Sequence, residues 1–509
     1  MAGAVSPKNG ERAGILLALA CLAQFMVVLD VSIVNVALPS IRHDIGFSPT
    51  GLQWVVNAYT LAFAGFLLLG GRAADLIGRR AAFMGGLGLF GLASLAGGLA
   101  HGPAMLLGAR TMQGLAGAVL SPATLTIITT TFKEGAARAK AMGAWSAVAG
   151  AGGAVGALAG GSLTTLASWR WIFFINVPLA LLGIVGARIF LTEIRRPSRA
   201  GRPDVLGAIV VTAGLAGLVL SLVRADSVGW GSTQTVVTMG VSFALLLAFI
   251  GYEYKVPSDP LVPLGMFRSR SLTGANLVML GVGASLFATW YFLSLYFQYV
   301  LHYSPLLAGV AFVPQTVAVM VGSQVSSRLV SRVGARPLLV IGPLVSAVGL
   351  LFMSQVNAFS SFWGAIFVPS VLVTLGGGLS FAPVAVAATS GIRSEEAGLA
   401  SGLVNTSRQV GGAIGLAGLA SLATWRSAHF SPPPGHVGQV VHLEALSAGF
   451  TAAFAAACGI AVLTAVAAFI VPPINRGGRP PRAASAPSSQ DAEYAQLGVP
   501  ARAMRGAES

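Results

Sequence analysis

The chain has 509 residues, of which 55% are apolar and only 9% charged, with 65 glycines. That balance excludes a soluble enzyme, and the glycines suit close helix approach in lipid. The formal net charge of +15 has no basic patch interleaved with aromatics, so it speaks for membrane topology and an anionic leaflet rather than nucleic acid.

Fourteen nearly charge-free stretches recur between short basic loops, each close to the roughly 20 residues that span a hydrocarbon core of about 30 Å. Strand-like alternation is absent, so the spans are helices. After a cytoplasmic tail at 1–13, the first six are expected at 15–39, 52–71, 82–101, 104–128, 141–164 and 170–191, a bundle within residues 14–191. The first is long and ends in no small-residue cleavage site, which makes it a retained helix and not a signal peptide. Residues 192–273 hold an Arg/Pro-rich linker and two further spans, 205–223 and 233–252. A second bundle at 274–472 has spans at 274–297, 306–328, 338–355, 361–388, 400–424 and 447–472. The tail 473–509, rich in Pro, Arg, Ala and Ser, is expected to be disordered and cytoplasmic. The fold class is therefore an all-α integral membrane protein with 14 transmembrane helices, two six-helix pseudo-symmetric bundles plus two additional helices.

Charge supports this count. If both termini are cytoplasmic, only Arg42, Arg170, Arg224 and Arg426 fall at the outer side, and Arg110 and Arg408 fall within helices. Every other Lys and Arg lies on the inner side, and an odd helix count would spoil that sorting. Cys21 and Cys458 both lie inside helices, which indicates neither a disulfide framework nor a metal site. All six histidines map to outer loops or helix ends, so a buried histidine relay is not expected.

An internal repeat organises the chain. The segment GRAADLIGRR at Gly71–Arg80 follows the second span, and SRLVSRVGAR at Ser327–Arg336 follows the tenth, at an offset of 256 residues. Gly78 aligns with Gly334 and Arg80 with Arg336, while Asp75 becomes Ser331. Parallel halves repeated in this way build alternating access in one large transporter fold.

These segments, with LDVSIVNVALPSI at Leu29–Ile41, RTMQGLAGAVLSPA at Arg110–Ala123, WRWIFFINVP at Trp169–Pro178 and NTSRQVGGAIG at Asn405–Gly415, resemble the signatures of the major facilitator superfamily, in its fourteen-helix drug/proton antiporter branch. The resemblance covers residues 14–472 and implies no cofactor. One departure concerns the fifth helix, where Gly152, Gly156, Gly160 and Gly161 keep the antiporter-motif spacing but Ala157 stands where the family has proline. Proline would kink the helix, whereas here small residues every four positions leave a stripe for helix packing, with or without a gating role.

Asp30 is the one acidic residue deep in a span, and intramembrane ionisable residues mark ion or substrate pathways. Burial penalises its charged form and a nearby cation favours it. Arg110 is the candidate cation, since the two lie about 13 Å and about 9 Å inside the ends of their helices. The resemblance implies proton coupling by Asp30 and Arg110, with Asp30 in coupling or substrate binding; the alternatives are a permanent structural pair, or an Asp30 that contacts substrate without binding the transported proton. Gly71, Arg72, Asp75, Gly78, Arg79 and Arg80 are implied to form a cytoplasmic latch between halves, or simply to set topology. Gln24, Phe25, Met26, Trp54, Asn57, Tyr59, Trp290, Tyr291, Phe292 and Arg408 are candidates to line a substrate cavity, although several could instead face lipid or another helix. Such a lining suits small hydrophobic or monocationic substrates.

The function expected is proton-coupled efflux of hydrophobic drugs or natural-product antibiotics across the inner (cytoplasmic) membrane. Uptake or facilitated transport on the same fold, or a non-transporting scaffold or sensor, are the rivals. There is no phosphate-binding loop, and the chain reads as a non-enzyme. Its partners would be the substrate, protons and membrane lipid, without nucleic acid or metal, and it is expected to be monomeric.

Overall fold

The computed structural model describes residues 7–132, 135–192, 204–255, 260–392, 396–434 and 436–473, and every regular element among them is helical. The tail expected after residue 473 and the linker residues 193–203 lie outside the described residues. The helices are α1 (Pro7–Ile45), α2 (Trp54–Ile77), α3 (Arg79–Gly98), α4 (Pro103–Thr131), α5 (Ala136–Leu166), α6 (Trp171–Phe190) and α7 (Val205–Val228). They continue with α8 (Thr233–Lys255), α9 (Arg270–Val300), α10 (Pro305–Val333), α11 (Ala335–Met353), α12 (Phe362–Thr389), α13 (Ala397–Ala428) and α14 (Gln439–Ile470). Thirteen are long and apolar enough to cross a membrane. The other, α13, is 32 residues long and buries Leu403, Gly411, Gly412 and Leu416, which completes the fourteen among the described residues.

Local chemistry sets the helix ends. Pro103 and Pro305 open α4 and α10, where the missing N–H has no intrahelical partner to lose. Asp204 caps α7 by accepting the Gly207 N–H at 2.8 Å, and Ser361 caps α12 by accepting that of Gly364 at 3.1 Å. The repeat is visible in the backbone. Gly78 (φ 95°) makes a one-residue turn between α2 and α3, and its counterpart Gly334 (φ 86°) does the same between α10 and α11. A side chain at either position would be strained.

Within lipid, association depends on close packing rather than on expelling water, so small residues sit at the contacts. A Cβ added at Gly114 of α4 would come within 3.1 Å of the Phe63 N of α2, and one at Gly411 of α13 within 2.8 Å of the Leu280 Cα of α9. Helices α1 to α6 close around Met26, Phe83, Phe90, Leu120 and Ile128. In the second half Phe292 meets Phe450 and Phe454 with ring centroids 5.7 and 6.0 Å apart. The additional helices pair with each other, and α7 seals the edge between halves through Leu215 and Val219 against Leu61 of α2 and Ala413 and Ala417 of α13.

The two halves meet most tightly near the face where α1 ends. There Ser294 of α9 donates to the Asn35 carbonyl, and Gln298 Nε2 donates to the Val36 carbonyl at 2.9 Å. Leu306 N–H of α10 donates to Thr165 Oγ1 of α5 at 3.1 Å. Toward the face of the basic loops, a Cβ added at Gly150 of α5 would lie 3.0 Å from Met320 Cγ of α10, and nearer that face Ser146, Ala147, Gln324, Val325 and Arg328 are exposed. Along the α2–α13 edge contact persists, with Leu68 against Gly402.

Candidate functional site

Asp30 and Arg110 form an ion pair with relative exposures of 0% and 1%. The guanidinium is held from several directions. Arg110 Nε donates to the Val55 carbonyl at 2.9 Å, and Nη1 donates to Asp30 Oδ2 and, at 2.9 Å, to Gln113 Oε1. Its Cζ lies 4.5 Å from the ring centroid of Tyr59, a cation–π contact made stronger by the burial of both groups. The second carboxylate oxygen, Oδ1, accepts from Gln113 Nε2 at 2.8 Å and Asn176 Nδ2 at 3.2 Å. Gln113 Nε2 also donates to Ser94 Oγ at 2.7 Å. Helices α1, α2, α3, α4 and α6 thus join in one network around the ion pair.

This geometry lets charge-assisted hydrogen bonds offset part of the desolvation cost of holding a carboxyl and a guanidinium together away from water. It also makes the protonation state consequential. A proton on Asp30 would cancel the pair and leave Arg110 an uncompensated buried cation, a state that the surrounding helices must rearrange to accommodate. With no exposed atom, the carboxyl has no direct contact with solvent in this arrangement.

Sequence reasoning brought Asp30 and Arg110 together but missed Gln113, Ser94 and Asn176. Gln113 follows Arg110 by three residues on the same helical face, and that signal was available. Ser94 carried none. A second buried acidic group was also passed over because its members stand at helix ends. Asp204 and Glu253 are 7% and 5% exposed, and Glu253 Oε2 accepts the Val262 N–H at 3.2 Å.

The small-residue stripe of α5 divides into two faces. Gly152, Gly156 and Gly160 receive α1 of the same half, where added Cβ atoms would come within 3.3, 3.0 and 3.0 Å of the Phe25 O, the Leu29 O and the Ile33 Cγ1. The face turned to the other half is Gly153, Ala157 and Gly161 instead. A Cβ at Gly161 would sit 2.8 Å from the Leu306 Cα, and Gly309 of α10 packs on Ala157. Ala157, in place of proline, leaves α5 helical across this contact.

Of the cavity candidates, Met26 is fully buried in the packed core of the first half and Tyr59 under Arg110. Tyr291 and Phe292 are buried in the second half. Trp290 lines a small cavity between the halves with Ser32, Asn35, Ala157, Phe312 and Thr316. Trp54 and Phe25 are partly exposed, Gln24 is 8% exposed, and Asn57 is fully buried with neither side-chain atom partnered. Arg408 is partly exposed beside Asn405. In the implied latch, Gly71 packs 3.7 Å from Pro122 through an added Cβ, Arg79 is buried, and Arg80 Nη2 donates to the Arg188 carbonyl at 3.0 Å. That contact complements the C-terminus of α6 in the same half. The side chains of Arg72 and Asp75 lie outside the described residues.

Comparison with known proteins adds an independent line. The family model of the Major Facilitator Superfamily matches residues 20–416. A cephamycin export protein of Amycolatopsis lactamdurans is 45% identical, covering 79% of this chain and 83% of its own length. A puromycin resistance protein of Streptomyces alboniger is 41% identical over 88% of this chain and 89% of its own. The crystal structure of a peptide transporter in complex with sulfate superposes with a TM-score of 0.65 at 15% identity, covering 89% of this chain and 93% of that one, a likeness of fold alone.

Proposed function

The chain belongs to the major facilitator superfamily, and on that premise we propose that it exports hydrophobic drugs or natural-product antibiotics across the cytoplasmic membrane in exchange for protons, by alternating access. Export rests on the relatives that share most of its length, which are named for antibiotic export and resistance. Coupling rests on one observation, the sealed Asp30–Arg110 pair at the meeting point of five helices. Protonation of Asp30 changes the charge of that junction and so biases which arrangement of helices is favoured. Transport needs no bound cofactor and no covalent step.

Both termini lie in the cytoplasm under this reading, which makes the basic face cytoplasmic. The hydrogen bonds between the halves near the end of α1, with exposed α5 and α10 residues toward the basic face, support reading this arrangement as inward-facing. The substrate enters there, between halves. Reversal opens the α1–α9 and α5–α10 contacts to the outside, while the Gly71–Arg80 loop draws the cytoplasmic ends together. The protein acts as a monomer.

The test is dye movement in inverted membrane vesicles with an acid interior. Antiport concentrates a hydrophobic dye inside, and collapse of the proton gradient releases it. Expulsion of dye by the same gradient would identify a symporter, and indifference to the gradient would remove proton coupling altogether.

A further inference from the structure

Arg408 stands eleven residues into α13, about 17 Å from the basic end of that helix, and so near mid-membrane. No carboxylate among the described residues forms an ion pair with it. Its Nη2 donates to Asn405 Oδ1 at 3.0 Å, its Nε is buried without a partner, and its Cζ lies 5.9 Å from the ring centroid of Phe381 on α12. The contrast with Arg110 is sharp. That cation has a carboxylate, a glutamine, a backbone carbonyl and a ring, whereas Arg408 has one neutral amide and a distant ring.

The chemistry of this corner is one-sided. Asn405 Oδ1 accepts from Arg408, so the pair presents mainly N–H donors: Arg408 Nε and Nη1 and Asn405 Nδ2. A guanidinium fork is matched to two oxygens of a carboxylate, and an unpaired cation at this depth is costly until an anion meets it. Asp30 cannot serve a cationic ligand here, being enclosed and already engaged by Arg110, Gln113 and Asn176. Among the described residues, the charge left without a counterion at this depth is therefore positive. We infer that Arg408, oriented by Asn405, binds the carboxylate of an amphiphilic organic acid whose apolar body lies against Phe381. This rests on the export reading and narrows it, because it replaces the monocationic ligand expected from Asp30 with a monoanionic one.

The test uses 1-pyrenebutyric acid and its methyl ester, which share an apolar body and differ in charge, in acid-interior inverted vesicles and in equilibrium binding to purified protein. The wild type should prefer the acid to the ester by at least about 10-fold. Arg408→Gln should abolish that preference by lowering the affinity for the acid to that for the ester. Asn405→Asp supplies an internal carboxylate to Arg408, so it should abolish the preference without removing the arginine, and it guards against a folding defect in the first variant. Equal binding of acid and ester by the wild type, or retention of the preference in both variants, overturns the anion site. A wild type that concentrates neither probe, and no other hydrophobic dye, overturns the export reading instead.

Discussion

Replacing Asp30 with asparagine separates a coupling role from a structural one, since each predicts a different pair of measurements. The amide keeps the shape but loses the charge. Arg110 then stays buried beside one neutral oxygen, while the new NH2 group confronts Nη1 of Arg110, or Gln113 Nε2 and Asn176 Nδ2, all of them donors. Removing one partner of a buried ion pair costs about 3–5 kcal/mol, so thermal unfolding in detergent should occur at a clearly lower temperature. The double variant Asp30→Asn with Arg110→Gln removes both charges and should recover much of that loss, giving a favourable interaction energy in the double-mutant cycle. Transport behaves differently under the coupling hypothesis. In proteoliposomes, both variants should fail to concentrate substrate under an imposed proton gradient, and substrate-induced proton release should vanish. If the double variant recovered stability and also active transport, the pair would be structural alone. Should Asp30→Asn by itself concentrate substrate, the essential proton carrier lies elsewhere.

Three other outcomes are expected. Gly161→Val puts side-chain atoms against the Leu306 backbone, an overpacking of about 1–3 kcal/mol that shifts the population away from closure at this face by roughly 5- to 150-fold. Cysteine labelling of the α5–α10 contact should rise and transport should fall, and unchanged labelling would show that this contact is not a gate. Gln113→Leu removes the bridge from Asp30 and Arg110 to Ser94; it should lower stability by about 1–3 kcal/mol through unsatisfied buried groups, and an unaltered unfolding midpoint would contradict the network. Ser431→Cys, in a background lacking Cys21 and Cys458, should react with an impermeant maleimide on intact cells, because Ser431 is exposed in the loop before α14. Protection in cells together with labelling after lysis would invert the topology.

The order and number of helices were legible in the sequence because solvation by lipid acts on each helix separately. A span must be long and nearly uncharged whatever its neighbours do. The same physics marked Asp30 and Arg110, since a charge at that depth stands out in any apolar stretch. It also made the one-residue turns at Gly78 and Gly334 readable, because a backbone at positive φ selects glycine locally.

Direction around each helix axis was not legible. In a soluble bundle an apolar stripe identifies the buried face, but lipid and protein interior are both apolar, and that contrast fades. Spacing therefore grouped Gly152, Gly156 and Gly160 as one surface to close upon, whereas the tertiary structure gives them to α1 and assigns the contact between halves to Gly153, Ala157 and Gly161. It likewise buries Met26, Tyr59, Tyr291 and Phe292, brings Asn176 to Asp30 and Ser94 to Gln113 from other helices, and leaves Arg408 without an acid among the described residues. The contact of Asn176 with Asp30 alone joins residues 146 positions apart, and such side-chain chemistry acquires meaning only when packing fixes which groups face each other.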